Sequence, residues 1–78
     1  MTLTIISSHS VMFSGEAESV TMPGINGSFT VLNNHAPLIS VLTAGKVTCR
    51  MSDGSTQEVE VKGGLADVAD NKIAVCVY

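Results

Sequence analysis

The stretch KVTCRMSDGSTQEVEV, Lys46 to Val61, decides the fold class. Its first six residues put Val47, Cys49 and Met51 on one face and Lys46, Thr48 and Arg50 on the other. A period of two is that of a half-buried β-strand, whose successive side chains point to opposite sides of the sheet. Asp53-Gly54 then marks a hairpin, because glycine takes positive φ without steric cost. The alternation resumes in TQEVEV, with Val59 and Val61 inward and Glu58 and Glu60 outward.

The same pattern spreads to both sides. Downstream, Leu65 to Val77 reads as a second hairpin turning at Asp70 to Lys72. Its closing strand sets Ile73, Val75 and Val77 against Ala74, Cys76 and Tyr78. The second of these faces is small and apolar, so this strand is expected to be covered on both sides or to touch a partner. Gly63-Gly64 suits a bulge or a sharp corner where the chain changes sheet. Upstream, TLTII reads as an opening strand, MFSG as a short strand into a turn, and EAESVTM as an outward-polar strand. GSFTVL and PLISVL are strands that flank an irregular segment. No window carries a helical stripe, so the expectation is one all-β domain over residues 1–78, a sandwich or flattened barrel.

Composition narrows the function. Seventy-eight residues, 45% hydrophobic and without Trp, can build one core of Val, Ile, Leu and Met. The net charge is −3, and the four basic residues, Lys46, Arg50, Lys62 and Lys72, are scattered singly. That leaves no basic stripe for nucleic acid. The uncharged stretch from Ser19 to Ala44 is broken by Pro23, His35 and Pro37, so no direct membrane insertion is expected. The N-terminus lacks the basic start and apolar centre of a signal peptide, and two cysteines make no disulfide framework. A reduced compartment follows, in which the NGS sequon at Asn26 is an accident of composition.

The chemistry-bearing residues do not assemble into a site. His9 and His35 come with no nucleophile signature, and a triad needs a histidine held by a carboxylate beside a nucleophile. Cys49, Cys76 and the histidines are widely separated, with no C-x-x-C pair to seed a metal site. Glu16/Glu18 and Glu58/Glu60 fall on the solvated face of strands. Neither a catalytic residue, a cofactor nor a metal is expected. PGINGS lacks the G-K-[ST] ending and the following helix of a phosphate cradle, and reads as a turn shaped by Pro23, Gly24 and Gly27. Ile25 at the tip of that turn hints at a contact surface. In NNHAPL, Ala36 is pushed toward an extended conformation by Pro37, and Asn33 and Asn34 can bond their own backbone or take left-handed angles. The result is a stiff corner that presents His35, and stiff loops suit recognition.

Taken in order, F-S-G, P-G-x-x-G-x-F, H-A-P-L and the G-G before the last hairpin closely resemble the N-terminal domain of the epsilon subunit of F-type ATP synthases, from Ile5 to Val77. The resemblance implies a ten-stranded β-sandwich of two five-stranded sheets. It implies a non-catalytic rotor component of a proton- or sodium-translocating enzyme, joining the gamma subunit to the c-ring and coupling ion flow to ATP synthesis. Its place would be peripheral, on the cytoplasmic face of an energy-transducing membrane. By motif, Pro23, Gly24, Ile25, Asn26, Gly27 and Ser28 would face the c-ring. Ser7 of the first strand, His35, Ala36, Leu38 and Ser40 would lie on the gamma side.

Two departures from the family shape the expectation. Many members continue into a C-terminal pair of helices that can bind ATP; this sequence stops at Tyr78, so the helical domain is absent from it and no ATP binding is expected. Asn26 and Ser28 stand where acidic residues are frequent in relatives, so no salt bridge to the ring is expected from them. The alternative reading is an independent β-sandwich module that uses the 22–40 loops as a small-ligand pocket.

Overall fold

A computed structural model describes all 78 residues and contains eight strands and no helix. In chain order they are β1 (Thr2–Ile6), β2 (Val11–Gly24), β3 (Gly27–Leu32), β4 (Leu38–Leu42), β5 (Gly45–Met51), β6 (Thr56–Val61), β7 (Gly64–Ala69) and β8 (Lys72–Val77). The all-β expectation holds, with eight strands where the resemblance implied ten.

Part of the difference lies in β2. MFSG does not turn; it runs straight into EAESVTM as one 14-residue strand. Gly15 pairs with Leu3 inside the ladder, and a Cβ there would come within 2.8 Å of the Met51 methyl group. The glycine therefore makes room for a packed side chain instead of a turn. A bulge at Glu18 bends the strand, and the buried positions change parity there, from Ala17 to Val20 and Met22. Residues up to Glu16 pair with β1, Ala17 already pairs with β5, and residues after the bend pair with β3 and β5. One strand thus serves two layers.

The first layer runs from β2 through β1, β8 and β7 to β4, with β1 and β8 parallel and the other pairs antiparallel. The second holds β3, the rest of β2, β5 and β6. A single bridge from Gly24 to Leu42 ties β2 to β4 and nearly closes the sandwich into a flattened barrel of 27 × 24 × 19 Å. Between the layers lies a core of 16 buried residues, including Leu3, Ile5, Val20, Met22, Val31, Val47, Cys49, Ile73 and Val75. These are the inward positions of the period-two patterns.

The turns follow their chemistry. Asp70 and Asn71 both take positive φ (52° and 59°), the two-residue hairpin geometry whose twist matches that of the strands. The β5–β6 turn is longer. Gly54 sits at φ 90°, and the Asp53 carboxylate accepts bonds from the Ser55 backbone N–H (2.9 Å) and hydroxyl (2.6 Å). Gly63 and Gly64, at φ 141° and 157°, carry the chain from the second layer to the first, at the corner expected for them.

Candidate functional site

The two outer faces of the sandwich differ in chemistry. On the first layer, register aligns Ile6, Cys76, Leu65 and Val41 in one row across β1, β8, β7 and β4. The adjacent row holds Thr4, Ala74, Asp67 and Ile39. All eight alternate with buried partners on their own strands or with residues packed on the core, so they point away from it. Ile39 is 67% exposed, Val41 47% and Leu65 45%, and Tyr78 at the end of β8 is 83% exposed. Together they form a contiguous apolar face with one charged side chain, Asp67, inside it.

The second layer is its opposite. Its outer face pairs Lys46 with Glu60 and Thr48 with Glu58, and places Ser19 beside Arg50. Thr21 and Thr30 share a 2.9 Å hydroxyl bond across β2 and β3. Leu32, opposite Ser19, is the apolar exception at its margin. A solvated face and an apolar face on one small domain define a direction for docking.

The residues expected to face a ring form a tighter structure than a loop. Pro23 and Gly24 end β2, Gly27 and Ser28 begin β3, and only Ile25 and Asn26 make the turn. Gly27 alone takes positive φ (126°). Gly24 is required for close approach, since a Cβ there would lie 2.6 Å from the Gly27 carbonyl and 3.0 Å from the Phe29 ring. Two backbone bonds pin this tip to β4 and the residue after it: Ile25 N–H to the Val41 carbonyl (2.9 Å) and Thr43 N–H to the Pro23 carbonyl (2.8 Å). Ile25 stands 63% exposed at the apex of a stiff prong.

The other expected set does not gather into one patch. His35 and Ala36 lie exposed in the corner between β3 and β4. Here the Asn34 backbone takes φ 62° and donates to the Asn71 side-chain carbonyl (2.9 Å), while the carbonyl oxygen of the Asn33 side chain accepts from the Met1 amine (2.8 Å). The asparagines brace the corner to distant segments and not to their own backbone. Ser7 lies past the end of β1, beyond the row that holds Ile6 and Val41 and about 13 Å along the strands from the row that holds Leu3 and Leu38. Leu38 packs on the core, and Ser40 shares its side of β4. Outward from that strand point Ile39 and Val41 instead. The five expected residues therefore bracket the apolar face without composing it. The signal for the face was present in LISVL and GLADVA, where both parities carry apolar residues; only KIAVCV is read that way from sequence.

Other polar groups are structural. Glu16 accepts a 2.7 Å bond from the Thr2 hydroxyl and stands 3.6 Å from the Met1 amine. The hydroxyl bond first, and the amine charge with it, hold its carboxyl below the usual range. Asp53 is lowered by its two Ser55 bonds, and burial pushes the Cys49 thiol up. No three of His, Cys, Asp and Glu come together. Two open hollows exist, one of about 380 Å³ between Phe13, Glu16, Met51 and Asp53, the other beside Asp67, Asp70 and Lys72. Neither is lined by any residue from 22 to 40, so the alternative of a ligand pocket there has no cavity to use.

Comparison with known proteins gives a consistent result. The family described as ATP synthase, Delta/Epsilon chain, beta-sandwich domain matches residues 1–78. An ATP synthase epsilon chain of Chlorobaculum tepidum is 45% identical over 71 residues, 91% of this chain and 81% of the relative. In the mitochondrial ATP synthase of Euglena gracilis, solved with OSCP, F1 and c-ring, one chain superposes with a TM-score of 0.89 at 21% identity. That match covers 96% of this chain, which spans about half (48%) of the Euglena chain. A chain of the central stalk and c-ring assembly of Tetrahymena thermophila superposes at 0.82 and 18% identity, over 99% of this chain and 62% of its own length.

Proposed function

We propose, from the premise that this chain belongs to the β-sandwich family of ATP synthase delta and epsilon chains, that it is a non-catalytic part of the rotor, clamped between the gamma subunit and the c-ring. The observation that carries this reading is the pair of unlike outer faces. The apolar face of β1, β8, β7 and β4 meets gamma, and the polar face of β3, β2, β5 and β6 stays in water. The Ile25–Asn26 prong, from Pro23 to Ser28, meets the c-ring. His35, Ala36 and Ser7 sit at the two ends of the gamma-facing surface.

The geometry suits transmission of torque. A sandwich whose layers share β2 and are bridged at Gly24 and Leu42 has few soft joints, and its core is close-packed. The domain contributes position and stiffness; the coupling of ion flow to ATP synthesis belongs to the assembly. No helix in the chain is long and apolar enough to cross a membrane.

Capture of the gamma subunit by immobilised chain tests this. Ile39→Asp should abolish capture, because docking would desolvate an added, unpaired charge within the apolar face. Thr48→Asp, on the polar face, should leave capture unchanged. Equal effects from the two substitutions would refute the assignment of faces.

A further inference from the structure

We propose that Asp67 is the specificity-determining charge of the apolar face, and that the surface seated on it must offer a Lys or Arg side chain opposite this carboxylate. The proposal rests on the reading that this face docks, and adds what the partner has to carry. Asp67 lies in register between Ile39 on β4 and Ala74 on β8. Along its own strand, Leu65 stands two residues away on the same face, and Cys76 and Val41 fill the next row. Its immediate neighbours Ile39, Leu65 and Ala74 carry no side-chain donor, and the one basic side chain nearby is Lys72, which borders the same open hollow.

Nor does the chain itself neutralise the group. Lys72, the nearest cation by register, pairs with Ala69 and forms no ion pair with Asp67; the chain's one ion pair within 4.0 Å joins Met1 and Glu16. No side-chain hydrogen bond reaches the Asp67 carboxylate. In the free domain water serves it, because the side chain is exposed. A partner that covers Ile39, Leu65 and Val41 must also cover Asp67. An ionised carboxylate taken out of water in aliphatic surroundings is strongly unfavourable unless a cation with hydrogen-bond donors replaces that water. An apolar surface without a cation would be rejected by the same residue that admits one bearing it, which is how a single charge confers selectivity.

Binding of purified gamma subunit to the wild-type chain, Asp67→Asn and Asp67→Leu decides the matter, with Ile39→Asp as control for the face. Because Asp67 is exposed in the free domain, thermal melts of the Asp67 variants should match wild type. Removing one partner of a buried charge pair should weaken binding about thirtyfold or more, and the salt sensitivity of association should fall in both variants. If wild type binds, Ile39→Asp does not, and Asp67→Leu binds as tightly as wild type or tighter, the docking face stands and the cation is overturned. If wild type fails to bind, or Ile39→Asp binds normally, both the face and the cation are overturned.

Discussion

Gly64 is the position where one added methyl group should do the most damage. It opens β7, paired with Leu42 on one side and Val77 on the other, at φ 157°. A Cβ there would press into the Cys76 carbonyl and lie 3.0 Å from the Val77 Cα, both main-chain atoms of β8. Forcing an L-residue into this backbone region costs about 1–3 kcal/mol. The clash cannot be relieved by a rotamer, so β8 must move away, and losing two ladder bonds at about 1 kcal/mol each adds roughly 2 kcal/mol. The sum, about 3–5 kcal/mol, is a large part of the roughly 4–12 kcal/mol that a chain of this length holds. Gly27→Ala is the internal control, since its φ is 126° but nothing lies within 4 Å of the added atom. Both variants carry the backbone strain, and only Gly64→Ala carries the clash. Urea unfolding followed by circular dichroism should separate them by about 2 kcal/mol, and thermal melts by roughly 8–16 °C. If Gly64→Ala proves no less stable than Gly27→Ala, the close packing of β7 on β8 is wrong.

Three further outcomes are expected. Thr2→Val removes the first cause of the lowered Glu16 carboxyl, so an NMR titration should show its pKa rising toward 4.5; the stability that depends on Glu16 is present above that value and lost as pH falls through the folded pKa, so wild type should lose it at a lower pH than the variant. Ile25→Asp should change unfolding stability by less than about 0.5 kcal/mol, because the side chain is exposed, yet weaken attachment to the c-ring in a reconstituted complex; a global loss of stability would place Ile25 in the core. Val20→Ala, fully buried between the layers, should destabilise by about 1–3 kcal/mol in the same urea assay.

Where one face of a strand is buried and the other charged, the sequence was fully legible. On β5 and β6, Val47, Cys49 and Val61 are buried as their alternation requires, and Met51 and Val59 are half-buried against the core. What escaped was of two kinds. Gly15 reads locally as a turn residue, but the pull of the β1 ladder and the Met51 side chain keeps it in a strand; this is a long-range effect invisible to a short window. The docking face escaped for the opposite reason. Leu38 and Ser40 were singled out through a motif, while period two along the same strand turns Leu38 toward the core and leaves Ile39 and Val41 outside. A strand that is apolar on both faces looks like a fully buried one until its neighbours are known. The bracing of the H-A-P-L corner by Asn33 and Asn34 depends on Met1 and Asn71, partners that are distant in sequence.

The two cysteines supply the most direct measurement of which face meets the rotor. Cys76 is exposed in the middle of the apolar face and Cys49 is buried in the core, so in the free domain iodoacetamide should label the first promptly and the second only on unfolding. With gamma bound, labelling of Cys76 should slow by an order of magnitude or more, while Cys49 stays unreactive. Undiminished labelling of Cys76 in a complex that demonstrably contains gamma would contradict the account at its centre.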